Sequence, residues 1–305
     1  MFESVRRPAA IFGVSMDLGQ DRRGVDMGPS AIRYARLQAA LEELGYPVTD
    51  LGNAATPIPE TVDKDGEVRH LDAVRNVCLE VAERAEALVA QEFFPIFLGG
   101  DHSISIGTVS GVARAFGRTG VIWLDAHADF NIPETSPSGN IHGMPLSVLT
   151  GRGHPDLVSI GGEGASVRTG DVVILGLRSV DEKERGLLRE AGVRVYTMKE
   201  IDAFGVASIV RRALRDLSHL ERVHLSVDLD VVDPAIAPGV GTPVRGGLTY
   251  REAHLVMELI NEAGIVTSLD VVEVNPILDD RNGTAELAVE LVASLMGRQI
   301  IGLPN

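Results

Sequence analysis

Short apolar runs alternate with longer amphipathic stretches from one end of the chain to the other, and few folds accommodate that rhythm. Residues 10–14, 94–98, 121–124, 172–175, 193–196, 223–229 and 268–272 are too short for good helices and mostly rich in β-branched side chains, which predicts strands. Between them, residues 29–44, 71–90, 182–191, 207–217, 250–263 and 284–296 carry apolar positions at three- to four-residue spacing, which predicts helices. Pro29 at a first helical position and Gly45 past the end punctuate the first of these. Such alternation implies an α/β fold, a single three-layer α/β/α domain around a parallel β-sheet. No fixed-period repeat, low-complexity tract or Pro/Gly/Ser linker divides the 305 residues, so one domain over 1–305 is expected. Residues 52–69 and 131–140 lack a clear period and read as loops, and the glycine-rich stretch 151–169 reads as another without an obvious chemical group.

Composition narrows the partners. The lone cysteine, Cys78, rules out a disulfide scaffold and fits a reducing compartment, so a cytoplasmic location is expected. No uncharged apolar run approaches the roughly 20 residues that a membrane span needs, and the apolar segment at 9–16 is too short for a signal peptide. With 28 basic against 43 acidic residues, a nucleic-acid partner is disfavoured, because phosphate contacts draw on Lys and Arg. A cationic ligand fits the balance of −15, and so does an ordinary solvated acidic surface.

Three groups of His and Asp stand where the expected strands end. The segment Gly99-Gly100-Asp101-His102-Ser103 follows the strand at 94–98, and ligands of open parallel sheets bind beyond the carboxyl ends of strands. Alone, His102 reads equally as a capping or hydrogen-bonded core residue. In Asp125-Ala126-His127-Ala128-Asp129 the polar residues are spaced by two, so a strand continuing through them puts all three on one face. Buried there, they need a cation; an exposed polar loop is the alternative. In the third group Val223, Leu225, Val227 and Leu229 share one strand face, and His224, Ser226, Asp228 and Asp230 share the other. Adjacent carboxylates at Asp228 and Asp230 repel and call for a counter-charge, unless they are solvated at a strand edge.

The six residues His102, Asp125, His127, Asp129, Asp228 and Asp230 thus form a candidate ligand set. Four carboxylates balance two divalent cations, and oxygen with imidazole but no thiolate suits two Mn²⁺ ions better than a structural zinc. Two such ions bridge one water, lower its pKa and hold hydroxide against an electrophilic carbon, so hydrolysis is the expected chemistry.

These three segments, in order and spacing, resemble the metal-binding signatures of the ureohydrolase family, which contains arginases and agmatinases. The resemblance runs from Met16-Asp17-Leu18-Gly19 and Arg22-Arg23-Gly24-Val25-Asp26-Met27-Gly28-Pro29 to Glu273-Val274-Asn275-Pro276. It implies a three-layer α/β domain with two Mn²⁺ ions bridged by hydroxide. The loop from Asn131 to Gly143 resembles the arginase pattern more closely than the agmatinase one, which implies L-arginine as substrate, with L-ornithine and urea as products. By that resemblance Asn131, Ser136 and Ser138 contact the α-carboxylate, and Asp181 and Glu184 hold the α-amino group. Without it, the first three read as a turn and the last two as a helix N-terminus. The resemblance further implies that His142 transfers protons, that Glu273 pairs with the guanidinium with help from Thr242, and that Asp129 both ligates metal and accepts a hydrogen bond from the hydroxide.

The sequence departs from the commonest arginase pattern at Ala128, where Thr is frequent, and at Ser179, where a second Asp often stands. Ser179 is expected to change the hold on the α-amino group. The end at Asn305, short of the tail of some animal arginases, points to a bacterial-type member. Family resemblance implies a homo-trimer or homo-hexamer with Arg251 and Glu252 at the subunit interface; exposed helix charges are the plainer reading. The alternatives are an agmatinase or related guanidino-acid hydrolase, and a non-catalytic metal-binding partner that keeps the fold.

Overall fold

The computed structural model describes residues 6–63, 66, 68–299 and 301. Residues 64, 65 and 67 of the loop expected at 52–69 lie outside it, as do residues 1–5, 300 and 302–305 of the expected domain. Eight strands form one sheet: β1 (Ala9–Val14), β2 (Val48–Asn53), β3 (Phe94–Gly99), β4 (Gly120–Leu124), β5 (Val172–Leu177), β6 (Arg194–Thr197), β7 (Val223–Asp228) and β8 (Val266–Val272). Their order is β2-β1-β3-β8-β7-β4-β5-β6, and every pairing is parallel.

Alternation along each strand feeds two faces. Ile11, Leu98, Leu225 and Leu269 pack with Ile32, Val210, Val256 and Leu291 of the helices Gly28–Tyr34, Val206–Asp216, Tyr250–Ala263 and Gly283–Leu295. Phe12 and Phe97 turn the other way, onto Val74, Cys78 and Val81 of the helix Leu71–Ala90. Trp123 and Ile174 continue that second layer with Leu146 and Leu188. The α/β/α layering read from the sequence is therefore present, with a parallel sheet covered on both sides.

Every strand expected from the sequence forms, and three of the expected helices, Leu71–Ala90, Glu182–Ala191 and Tyr250–Ala263, have the expected bounds. Two readings are corrected. The helix expected over 29–44 is two helices, Gly28–Tyr34 and Leu37–Glu43, separated where Arg36 takes the left-handed conformation at φ 68°. Strand β2 was unread, and its last two residues fall in the stretch read as a loop. Only Val48 in Val-Thr-Asp-Leu-Gly-Asn is even half-buried, so this edge strand carries no apolar alternation.

Candidate active site

The four central strands β3, β8, β7 and β4 end side by side, and the polar groups follow their carboxyl ends. After β3, Asp101 caps a short turn, His102–Ile104, by accepting from the Ser103 amide at 2.9 Å. This turn delivers His102 to the sheet top, where Nε2 meets Ser226 Oγ at 2.7 Å and Nδ1 faces the neighbouring carboxylates.

The second and third groups converge by turns rather than by strand period. Strand β4 stops at Leu124, Asp125 Oδ1 accepts from the His127 amide at 2.6 Å, and Asp129 adopts φ 49°. Strand β7 stops at Asp228, whose Oδ1 accepts from the Asp230 amide at 2.8 Å across the turn Leu229–Val231. The strand continuations considered through Asp129 and Asp230 thus do not form: Asp125 and Asp228 each cap a turn by accepting from the amide two residues on, and the chain after them leaves the strand.

His102 Nδ1 stands 3.1 Å from Asp125 Oδ2, 3.0 Å from Asp129 Oδ2 and 3.3 Å from Asp228 Oδ2. It is nevertheless buried without a hydrogen-bond partner of acceptable geometry. His127 Nδ1 stands 2.9 Å from Asp230 Oδ2 and 3.5 Å from Asp125 Oδ1. Two groups result, His102–Asp125–Asp129 and Asp125–His127–Asp230, each with donor atoms within 4.8 Å of one another, and Asp125 belongs to both. An orphaned ring nitrogen amid inward-facing carboxylate oxygens fits a cation, and the two oxygens of Asp125 suit a shared ligand.

The electrostatics carry the same message. Burial raises the carboxyl groups of Asp228 and Asp230, with neighbouring carboxylates adding to it, and holds Asp129 at about 6. Burial opposes charge on the imidazoles too, yet Asp230 and Asp125 push His127 up to about 12, and Asp125, Asp129 and Asp228 raise His102 well above its usual value. Buried carboxylates and imidazoles arranged in this way favour a positive charge among them.

Beside this cluster lies a cavity of about 140 Å³, lined by Asn131, Ser136, Ser138, Asp181, Glu184 and Thr242 together with His127, Asp129, His142 and Asp228. Asn140, Ser179 and Val180 line it too, and the sequence reading did not assign them as contacts. Asn131 Nδ2 donates to Asp181 Oδ2 at 3.0 Å. Ser136 and Ser138 accept from the Gly139 and Asn140 amides at 3.0 and 3.2 Å, the turn read from sequence, while their O–H groups remain able to donate. Glu184 caps its own helix, accepting from the Asp181 amide at 3.1 Å and the Phe130 amide at 2.8 Å, and burial lifts it to about 7. Thr242 Oγ1 donates to Asp230 Oδ2 at 3.1 Å. A larger hollow of about 700 Å³ lies beside the helix Leu71–Ala90 and is lined by none of the six candidate ligands.

Glu273, fully buried at φ 66°, joins the first and last segments of the site. Its Oε1 accepts from the His102 amide and meets His142 Nδ1, each at 3.1 Å, and Oε2 accepts from Gln20 Nε2 at 2.9 Å. Gln20 escaped the sequence reading because no spacing marks it; only the closure of the N-terminal segment over β8 brings it in. Arg251 and Glu252 have local partners: Arg251 forks onto Glu258 at 3.1 and 3.2 Å, and Glu252 accepts from the Thr249 amide at 2.9 Å.

Residues 7–297 match the arginase family. An arginase of Bacillus subtilis strain 168 is 52% identical over 293 residues, covering 96% of this chain and 98% of the relative. The solved structure of an arginase from Bacillus caldovelox superposes with a TM-score of 0.94 at 51% identity, over 97% of this chain and all of that one. A solved arginase of Entamoeba histolytica in complex with L-ornithine superposes at 0.88 with 29% identity, over 96% of this chain and 99% of that one.

Proposed function

The chain belongs to the arginase family and is a hydrolase, and on that premise we propose that it cleaves the guanidinium group of L-arginine with water, giving L-ornithine and urea, with two Mn²⁺ ions as cofactors. The observation that carries this reading is the convergence of His102, Asp125, His127, Asp129, Asp228 and Asp230, of which His127, Asp129 and Asp228 line a cavity that also exposes Asn131 and Asp181. His102, Asp125, Asp129 and Asp228 would hold one ion, and Asp125, His127 and Asp230 the other. Bound there, the ions supply an activated water nucleophile and neutralise the buried carboxylates.

The rest falls to side chains. Asn131, Ser136 and Ser138 orient the α-carboxylate, while Asp181 and Glu184 receive the α-amino group, so both charged ends of the amino acid are read. Glu273, with Thr242 nearby, faces the cationic fork of the guanidinium. Asp129 accepts a hydrogen bond from the attacking water. Because His142 Nδ1 is turned to Glu273, its Nε2 is left to give a proton to the departing amine. The Entamoeba complex with L-ornithine supports an amino-acid product in a fold of this kind.

We further take the described residues as part of one domain, in a cytoplasmic homo-trimer or homo-hexamer with Arg251 and Glu252 near the subunit contact. Among the described residues no helix is long and apolar enough to cross a membrane. The deciding experiment is urea release by the purified, Mn²⁺-loaded chain from arginine, agmatine and guanidinobutyrate side by side. Preference for arginine is expected; preference for agmatine overturns the substrate, and normal turnover by Asp228→Ala or His127→Ala overturns the metal assignment.

A further inference from the structure

Arg178 follows strand β5 and holds together the segments that supply the second group of ligands. Its own amide and that of Ser179 both donate to the Ala126 carbonyl at 2.9 Å, which anchors the peptide between Asp125 and His127. Its guanidinium, half-buried, hydrogen-bonds among the described residues only to backbone carbonyls: Nη2 to Asp230 at 2.5 Å, Nη1 to Val231 at 3.1 Å, Nη2 and Nε to Val244 at 2.7 and 3.2 Å, and, more weakly, Nη1 to Gly176 and Nη2 to Val232, each at 3.4 Å. The first two carbonyls fix the turn that carries Asp230. Val244 fixes the loop that carries Thr242, whose hydroxyl also holds the Asp230 carboxylate.

The berth is built around the side chain. A Cβ on Gly247 would lie 2.7 Å from Arg178 Nη2 and 2.6 Å from both the Val231 carbonyl and the Asp233 amide, so only glycine leaves the space. A planar fork with donors in several directions suits five carbonyls from three segments, whereas a lysine ammonium carries the same charge on one point.

We propose that Arg178 is the positioning residue of the second cation group, Asp125–His127–Asp230, acting through the Asp230 turn. The inference rests on the two-cation reading above. Asp230 belongs to the second group only, so loosening its turn weakens one ion selectively, while the backbone bonds to Ala126 survive any substitution of the side chain.

The test is Mn²⁺ titration followed by electron paramagnetic resonance, which separates free ion, single bound ion and coupled pair. The unsubstituted chain is expected to bind two. In Arg178→Lys, which keeps the charge, the second ion should bind about 10- to 100-fold more weakly while the first stays within about threefold, the range for lost outer-shell support. Gly247→Ala, which crowds the berth and leaves Arg178 in place, should weaken the same ion in the same direction. Equal affinity for both ions in Arg178→Lys and the parent overturns the inference, as does equal weakening of both ions. A parent that binds fewer than two ions overturns the two-cation reading, and this inference with it.

Discussion

The imidazole of His142 and the carboxylate of Glu273, 131 residues apart in the chain, are hydrogen-bonded at 3.1 Å inside the molecule. Burial opposes a charge on the imidazole, but Glu273 foremost, with Asp129 and Asp101 behind it, raises its pKa to about 9. A histidine raised in the folded state adds stability that is fully present below its unfolded value, about 6.5, and is lost as pH rises through the folded value. In metal-free protein the parent should therefore lose on the order of 3 kcal/mol relative to His142→Asn between pH 6.5 and 9.5. Urea denaturation of the two proteins across that range measures it, and a flat difference would mean that the pair is not ionic.

On the proposed metal assignment, the His and Asp cluster should exchange protons for metal. His127, near 12, and His102, well above its usual value, hold protons at neutral pH while no cation is bound. Mn²⁺ needs both imidazoles neutral, so loading at pH 7 should release on the order of two protons per chain, and affinity should fall as pH falls. Indicator titration in weak buffer reads the release directly. Loading without proton release would contradict the placement of both histidines in the first coordination sphere.

Much of this arrangement was legible in the sequence, for identifiable reasons. Buried parallel strands are continuous apolar runs, so β3, β4, β5 and β7 announce themselves, whereas β2 at the edge has no apolar face and passes for a loop. The six His and Asp stand out because strand ends concentrate ligands. Their geometry was misread, since a turn capped by Asp125 or Asp228 looks in sequence like two more residues of strand. Gln20 and Arg178 act through tertiary contacts with Glu273 and with backbone carbonyls, and such partners leave no local pattern. The break at Arg36 likewise depends on a positive φ in a residue that favours helix.

Asn131 and Asp181 should act as one unit in substrate selection. The amide donates to the carboxylate at 3.0 Å, and both line the cavity beside the candidate ligands. Asp181→Ala or Asn131→Ala should therefore reduce kcat/KM for arginine far more than for agmatine, which lacks the α-substituents, by about 10- to 100-fold in ratio. Because each substitution also strips the other residue of its partner, the double variant should cost less than the two single losses combined. Equal losses on both substrates, measured by urea release, would remove these residues from the α-group contacts.

Gly111 offers a prediction about packing with an unusual sign. It lies inside the helix Ser105–Phe116, where replacing glycine by alanine ordinarily stabilises by about 1 kcal/mol. Here a Cβ would fall 2.2 Å from the Ala82 carbonyl oxygen and 2.7 Å from the Ala85 Cβ, both on the helix Leu71–Ala90. Gly107 approaches the same helix in the same way, with its Cβ position 2.6 Å from the Cys78 carbonyl oxygen. The two helices can approach this closely only while both positions lack side chains, and neither obstacle is a flexible tip that can swing aside. Overpacking between rigid elements typically costs 1–3 kcal/mol, which exceeds the gain in helix propensity. Gly111→Ala should therefore destabilise by about 1–2 kcal/mol net, with the urea midpoint falling and the slope unchanged. Because that helix begins one residue after the turn bearing His102, the same substitution should also weaken Mn²⁺ binding modestly. A variant as stable as the parent would show that the two helices separate without strain, and that their close contact does not position His102.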